Sequence, residues 1–486
     1  MEENKNLKSK TLMGLIWTFA EQVGAQLVGF VVSIILARLL LPEDYGVIAI
    51  VLVFVNLCNV FVDSGFGKSL VQKKDADDLD FSSAFYFGLA LSLVLYTLLY
   101  AAAPWIAGWY DMQILSPVLR VMGLRLIVAA YNSVQKAKVS REMQFRRFFF
   151  STLGGTLVSA VVGIYMAWKG YGIWALVAQQ LTNVVIDTVI LSVTISWHPK
   201  LMFSFSRMKQ LYAYGWKVLV TGLVETLYED FRSLYVGKLY TANDLAYYTR
   251  GRQFPYLLVD NVNISISNVL FPAISSRQDD LDEVRGMTRR AMKTGAYLIS
   301  PMMFGLAAVA EPVVILLLTE KWLPCVPYLQ ILCINCALTP LQITNIQSIY
   351  AVGRSDIVLR LNVIKKMFGF LVVLIFARVS VMAMTWAGVA TAIFALIMNT
   401  YPNKKLLNYG IWDQLKDVVP SWLLSGAMML VVMAISVLHL PLIPELVVMI
   451  LVGVIVYIAL SAMFRVESFM YILETLKSIL ARRNKN

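Results

Sequence analysis

YGVIAIVLVFVNLCNVFVD, residues 45–63, decides the fold. The run is apolar over the length a helix needs to cross a bilayer, about 20 residues. It is interrupted only by Asn56 and Asn59 before ending at Asp63. At helical spacing these three share one face, so the segment reads as a membrane helix with one polar stripe. The whole chain agrees. It has 486 residues, 59% of them hydrophobic and 15% charged, with a mean hydropathy of +0.69. Soluble chains carry about 25% charge. With 4 Cys, 27 Gly and 15 Pro, disordered, collagenous and disulfide-framework classes are excluded.

Working outward, further apolar runs predict helices at 11–38, 45–71, 81–109, 116–140, 146–168, 171–196, 209–238, 244–277, 286–310, 322–352, 356–378, 382–402, 414–438 and 444–464. The expectation is an all-α polytopic membrane protein of about 14 transmembrane helices. Of the 42 Lys and Arg, 31 fall on one side of this scheme, among them Lys5, Lys8, Lys10, Lys136, Lys138, Arg141, Arg146, Arg147, Arg285, Arg289, Arg290, Arg482 and Arg483. Five (Arg38, Lys169, Lys238, Lys321 and Arg378) fall on the other, and six lie within helices. This alternation places both termini in the cytoplasm and explains the net charge of +12 without nucleic acid. The first run follows a basic start, but its length, Glu21 and the lack of a cleavage site predict an uncleaved helix. Residues 465–486 align Phe469, Ile472, Leu473, Leu476 and Leu480 on one face, as in a helix on the inner leaflet.

The chain also matches itself. Gly14 aligns with Gly215, Leu39 to Tyr45 with Tyr240 to Ala246, and Trp174 to Ala178 with Trp386 to Ala390, at offsets growing from about 200 residues. The predicted organisation is an N-terminal six-helix bundle at 1–197, a cytoplasmic connector at 198–208, a second six-helix bundle at 209–408, two additional helices at 409–464 and the amphipathic tail at 465–486.

Catalytic signals are sparse. The two histidines are His198, in the connector, and His439, in an outer loop, which rules out HExxH and a His-based triad. Cys333 and Cys336 form a CxxC inside an apolar helix, without a second pair, and are read as packing residues. No P-loop is present, and the outer connections are short.

Polar residues inside the helices carry more information. Glu21, Asp63, Arg125, Asp187, Glu225, Glu229 and Asp260 lie within spans, and each would cost about 2.5–3.5 kcal/mol facing lipid. Arg125, Asn132 and Lys136 share a face, as do Glu225, Glu229 and Arg232, and Asn335, Thr339 and Gln342. For Asp187 and Lys217 an interhelical hydrogen bond or an intrahelical ion pair is expected. For the set, a hydrated cavity between two bundles is expected. Candidate cavity residues are Asn56, Asn59, Arg125, Asn132, Arg232, Arg250, Arg252, Asn335 and Gln342. Candidates for ion coupling are Glu21, Asp63, Glu225, Glu229 and Asp260. Glu225 and Glu229 are one turn apart; their mutual repulsion suits them to take up a proton or, deprotonated, to ligate Na+. Neutralisation by Arg232 is the competing role.

Gly14 Leu15 Ile16 Trp17, followed by Ala37 Arg38 Leu39 Leu40 Leu41 Pro42 Glu43 Asp44 Tyr45 Gly46, resembles the opening of bacterial polysaccharide flippases of the multidrug/oligosaccharidyl-lipid/polysaccharide (MOP) exporter superfamily. The branch is that of lipopolysaccharide, colanic acid and teichuronic acid export. Phe271 Pro272 Ala273, Arg277 to Asp280, Glu311 Pro312, Lys321 to Pro324 and Ala351 to Asp356 continue the likeness. Ala246 and Thr319 depart from it, standing where relatives often have Gly. The resemblance implies two pseudo-symmetric six-helix bundles opening alternately to each side of the bacterial plasma (inner) membrane. It implies an undecaprenyl-pyrophosphate-linked oligosaccharide as substrate, no enzymatic step, no cofactor beyond a coupling H+ or Na+, and a monomer. Glycan polymerase and chain-length proteins are its candidate partners. The competing functions are a multidrug exporter of the same superfamily and a membrane glycan polymerase or ligase. Arg125, Arg232, Arg250 and Arg252 favour pyrophosphate or acidic sugars over organic cations.

The topology is testable with single cysteines at Asp111 and Gln144 in a background cleared of native Cys. In intact cells an impermeant maleimide should label position 111 alone; labelling at 144 would invert the scheme.

Overall fold

The computed structural model describes the backbone of residues 2–63, 66–438 and 440–483; the side chains of residues 2–12, 14–16, 19, 214, 475, 476 and 479–483 are outside the description. His439 and the side chains of Lys5, Lys8, Lys10, Gly14, Leu15, Ile16, Leu476, Leu480, Arg482 and Arg483 therefore lie outside the described residues. All regular structure among the described residues is helical.

The chain forms two compact units, Met1–Ala246 and Tyr247–Asn486. The first contains α1 (Glu2–Leu39), α2 (Pro42–Asp63), α3 (Phe66–Gln72), α4 (Asp78–Tyr110), α5 (Leu115–Met122), α6 (Leu124–Arg141), α7 (Phe145–Trp168), α8 (Ile173–Thr194), α9 (Phe205–Leu239) and the first turn of α10 (Ala242–Ser275). The second continues through α11 (Leu281–Ala308), α12 (Ala310–Leu318), a 3-10 turn (Glu320–Cys325), α13 (Val326–Ala337), α14 (Thr339–Ala351), α15 (Ser355–Phe376), α16 (Val381–Leu407), α17 (Ile411–Ile435), α18 (Leu442–Met463) and α19 (Glu467–Arg483).

Among the described residues 11 helices are long and apolar enough to span a membrane, or 12 if α11 and α12, bent by 70°, are one span. The chain is a polytopic all-α membrane protein. Helices occupy the expected runs, of which 11 or 12 rather than 14 pass as membrane spans among the described residues, and several are broken. The run at 116–140 divides at Gly123, that at 322–352 at Leu338, and the apolar end of 286–310 turns sharply into α12. The apolar pattern alone does not mark these breaks; their local signals are Gly123 and the prolines Pro312 and Pro340 that follow the other two.

Packing inside the first unit uses small residues, as expected where lipid is as apolar as the interface. Gly155, Ser159 and Gly163 line α7 at four-residue spacing and bring it against α8. Helix α2 runs antiparallel to α9, with Ile50 against Gly237 and Val60 against Gly222, and Ser69 of α3 donates to Leu211 O at 3.2 Å. The corner between α1 and α2 recurs between α9 and α10. In the first, Leu41 N–H donates to Asp44 Oδ2 at 3.1 Å; in the second, Thr241 N–H donates to Asp244 Oδ2 at 3.1 Å. The two corners touch, because Gly46 lies directly on the Ala242 backbone.

At the Lys/Arg-rich end of the unit the 198–208 segment is tied to the start of α4. Lys200 N–H donates to Ser82 Oγ (3.1 Å) and Ser204 N–H to Ser83 Oγ (2.9 Å). Arg207 reaches Asp77 and the buried Asp80, which Lys73 also pairs at 2.7 Å. The Asp80 backbone N–H, with Arg207 beside it, holds the Asp77 carboxyl below its usual range.

In the second unit Thr319 has φ +81° and ψ 168°, a region almost exclusive to glycine. The family resemblance implies Gly here, and Thr319 in its place carries backbone strain. The tail is helical as expected, and its Phe469 and Ile472 pack against the cluster around Tyr297 and Tyr457.

A Cβ at position 46 would stand 1.8 Å from Ala242 O, whereas one at position 222 would meet a Val60 methyl at 3.2 Å. Gly46→Ala should therefore lower stability by about 3 kcal/mol or more, and Gly222→Ala by less than about 1 kcal/mol. Thermal unfolding of both variants in detergent measures this; equal melting of the two would contradict the close corner contact.

Candidate functional site

The site is built on helices that are apolar enough to enter the membrane yet carry charges. In the first unit the centre is Asp187 on α8. Asn132 Nδ2 of α6 donates to Asp187 Oδ2 at 2.7 Å, and Lys136 Nζ, one turn further along α6, pairs with the same carboxylate at 3.1 Å. Arg125, two turns before Asn132, donates to Gln180 Oε1 of α8 at 3.4 Å. The face expected to hold Arg125, Asn132 and Lys136 is thus the α6 face against α8, and the interhelical bond expected for Asp187 is present.

Two further carboxylates approach this group. Asp63, at the end of α2, accepts from Asn59 Nδ2 at 3.4 Å, is hydrogen-bonded to Ser133, and is near enough to Lys136 and Arg125 to feel their charge. Glu21 of α1 accepts from Thr152 Oγ1 of α7 at 2.8 Å and feels Lys136 and Asp187. Five helices therefore contribute to one group of mixed charge, in which Lys136 is the shared cation.

A separate polar cavity of about 310 Å³ lies between α2 and α9, lined by Asn56, Asn59, Glu225, Glu229 and Asp230. The sequence pattern placed Arg232 on the face of Glu225 and Glu229, but Asp230 takes that place in the cavity lining. Lys217, expected to make an interhelical hydrogen bond or an intrahelical ion pair, is exposed.

The remaining candidates belong to the second unit. Arg250 is buried, stacks 5.4 Å from the Trp322 ring centre and bonds Gln253. Arg252 lies 4.7 Å over Tyr256, and both Arg252 and Asp260 act electrostatically on Cys336. Asn335 sits beside Gly388, and Gln342 donates to Ala392 O at 3.1 Å. The stripe expected from Asn335 through Thr339 to Gln342 is divided by the break at Leu338, where Thr339 Oγ1 donates back to Cys336 O at 2.7 Å. Cys333 and Cys336 are buried free thiols. Among the described residues no group of three or more His, Cys, Asp or Glu could hold a metal ion.

Sequence reasoning missed one polar cluster. Asn345 of α14, Thr400 and Asn403 of α16 and Gln414 of α17 are fully buried and bonded to one another, with Asn403 Nδ2 to Asn345 Oδ1 at 2.6 Å and Asn345 Nδ2 to Gln414 Oε1 at 2.8 Å. These neutral amides are far apart in sequence; the usable signal is Asn or Gln at apolar positions of three separate spans.

A model of the polysaccharide biosynthesis protein family matches residues 35–327, more than half of the chain. The chain belongs to that family. Among curated relatives it is 24% identical over 303 residues to the teichuronic acid biosynthesis protein TuaB of Bacillus subtilis (strain 168), covering 61% of this chain and 62% of TuaB. It is 24% identical over 319 residues to the succinoglycan biosynthesis transport protein ExoT of Rhizobium meliloti (strain 1021), covering 66% of this chain and 65% of ExoT. The matched region thus spans less than two thirds of either relative. The lipopolysaccharide biosynthesis protein WzxC of Escherichia coli (strain K12) is 21% identical over 366 residues, 74% of each chain. In fold, the chain is similar to the lipid II flippase MurJ in an inward closed conformation, with a TM-score of 0.75 and 17% identity over 93% of this chain and 98% of MurJ. A multidrug resistance MATE transporter of the MOP superfamily, inward-facing, gives 0.60 and 14% over 78% of this chain and 95% of the transporter. The fold is thus similar to that of a solved transporter of the MOP superfamily.

Proposed function

We propose that the chain is a flippase that moves an undecaprenyl-pyrophosphate-linked oligosaccharide across the bacterial plasma membrane by alternating access, coupled to H+ or Na+. The observation that carries this reading is the charged group of the first unit. Glu21, Asp63, Arg125, Lys136 and Asp187 come from helices that enter the membrane, where such charges require water, a partner or a ligand. A lipid with a large polar head needs such a path, while its tail stays in the bilayer. Covalent chemistry is unnecessary.

TuaB and WzxC are named for the biosynthesis of teichuronic acid and lipopolysaccharide and ExoT for succinoglycan transport, and these names support a glycan export role. We assign 14 spans with both termini cytoplasmic. Beyond the apolar helices and the bent α11–α12 pair, α9 with 35 residues and α15 with 22 are long enough to cross. Their charges, including Glu225, Glu229, Arg360, Lys365 and Lys366, lower their hydropathy. The repeated corners at Leu41–Asp44 and Thr241–Asp244 support the division into two six-helix repeats joined at 198–208. In this assignment Arg125, Arg232, Arg250 and Arg252 meet pyrophosphate or acidic sugars, and Glu225 and Glu229, facing one cavity, carry the coupling ion.

Proteoliposomes loaded with a fluorescent lipid-linked oligosaccharide test the proposal. Translocation should occur without covalent change, accelerate under a proton or sodium gradient, and lose that acceleration in Glu225→Gln or Glu229→Gln. Changing all four arginines to Gln should slow transfer at least tenfold with membrane abundance unchanged. A lengthened or transferred glycan would make the chain an enzyme, and an unchanged gradient response in both Glu variants would return these carboxylates to a structural role.

A further inference from the structure

The second unit contains an ion-pair cluster that the transport reading does not use. Arg289 of α11 binds Asp417 of α17 through two parallel bonds, Nε and Nη2 each at 2.8 Å. Lys293, one turn along, lies 3.2 Å from Asp417 and also pairs with Glu467 in the first turn of α19. The Tyr409 hydroxyl donates to Asp417 at 2.8 Å. Both carboxylates are thus taken up by Arg289 and Lys293.

Beside this cluster is an open cavity of about 480 Å³ at the junction of α11, α17, α18 and α19. Lys416 and Arg465 line it, exposed and without an ion pair to any described residue, so four cations face two carboxylates. Arg465 follows α18 with φ +46°, a backbone position that favours glycine. An arginine there accepts a conformational cost and brings its guanidinium to the cavity. Glu467 and Ser468 also line the cavity and turn the N-terminus of α19 toward it, which adds favourable potential for an anion. Its rim is apolar: Leu423 is 67% and Phe464 61% exposed. Beyond it, Leu430, Leu451 and Ile455 continue the exposed surfaces of α17 and α18.

We infer that this cavity is a binding site for an anionic phospholipid of the surrounding bilayer. The phosphodiester sits between Lys416 and Arg465, and the acyl chains follow the Leu423 and Phe464 rim. Surplus positive charge between membrane helices, in a layer rich in Lys and Arg, selects anionic headgroups. The apolar rim selects lipid over a free anion. A bound lipid would brace the α11–α17–α19 junction. The inference is independent of the transport reading.

The test uses the full chain in detergent, titrated with phosphatidylglycerol, with phosphatidylcholine, or with glycerol 3-phosphate as the free anion, while thermal unfolding is followed. Phosphatidylglycerol alone should raise the melting temperature. Its apparent affinity should fall about fivefold in Lys416→Gln and again about fivefold in Arg465→Gly. Arg465→Gly removes the charge while relieving the backbone, so a lost lipid response in that variant cannot come from misfolding. An undiminished response in the double variant, or an equal response to phosphatidylcholine or glycerol 3-phosphate, would overturn the assignment.

Discussion

A carboxylate inside a membrane helix needs water, a partner or a ligand, and in the first unit Asp187, whose buried Oδ1 has no hydrogen-bond partner among the described residues, meets part of that need through Oδ2. Asn132 and Lys136 reach it from adjacent turns of α6, which fixes the register of α6 against α8. The close α7–α8 contact through Gly155 and Gly163 holds α8 in place. Glu21 and Asp63 then bring α1 and α2 to the same cation. Removing Lys136 would take away the cation that Glu21, Asp63 and Asp187 share, leaving Arg125 and Lys68 near Asp63. The cluster is therefore a set of coupled charges, and such a set can respond to a proton, a cation or an anionic ligand.

A second constraint acts at the helix ends. The 198–208 segment is held on the start of α4 by Ser82, Ser83, Asp77 and Asp80, and Arg141 donates to carbonyls of Leu70, Lys73 and Lys74. The 198–208 segment is thus a docked strap whose Lys200 and Arg207 are paired with carboxylates at the start of α4. At the opposite end Lys238 pairs with Asp111, and exposed Trp105, Trp109 and Trp168 lie near that end, as aromatic side chains do at a membrane interface.

Much of this was legible in the sequence for a specific reason. A charge in an apolar run is conspicuous, and helical spacing alone puts Arg125, Asn132 and Lys136 on one face. The partner of that face was not legible, since choosing Asp187 requires knowing that α6 packs on α8. The Asn345–Asn403–Gln414 network was invisible because neutral amides hardly change hydropathy and the pairing spans four helices' worth of chain. The breaks at Gly123 and Leu338 went unseen because a kink leaves the apolar pattern intact. Asp230 rather than Arg232 lines the α2–α9 cavity because the cavity takes the side of α9 that carries Glu225, Thr226, Glu229 and Asp230, and position 232 falls on the far side of Glu225.

The central claim is that the polar face of α2 and α9 meets water inside the membrane. Single cysteines at Asn56 and Glu225, compared with a control at the exposed, apolar position Leu93 of α4, measure this through the rate of reaction with a small polar thiol reagent, which needs a hydrated thiolate. We expect positions 56 and 225 to react at least tenfold faster than position 93 in proteoliposomes. Reaction at all three positions at the same slow rate would mean that these residues are packed dry, and would contradict the account.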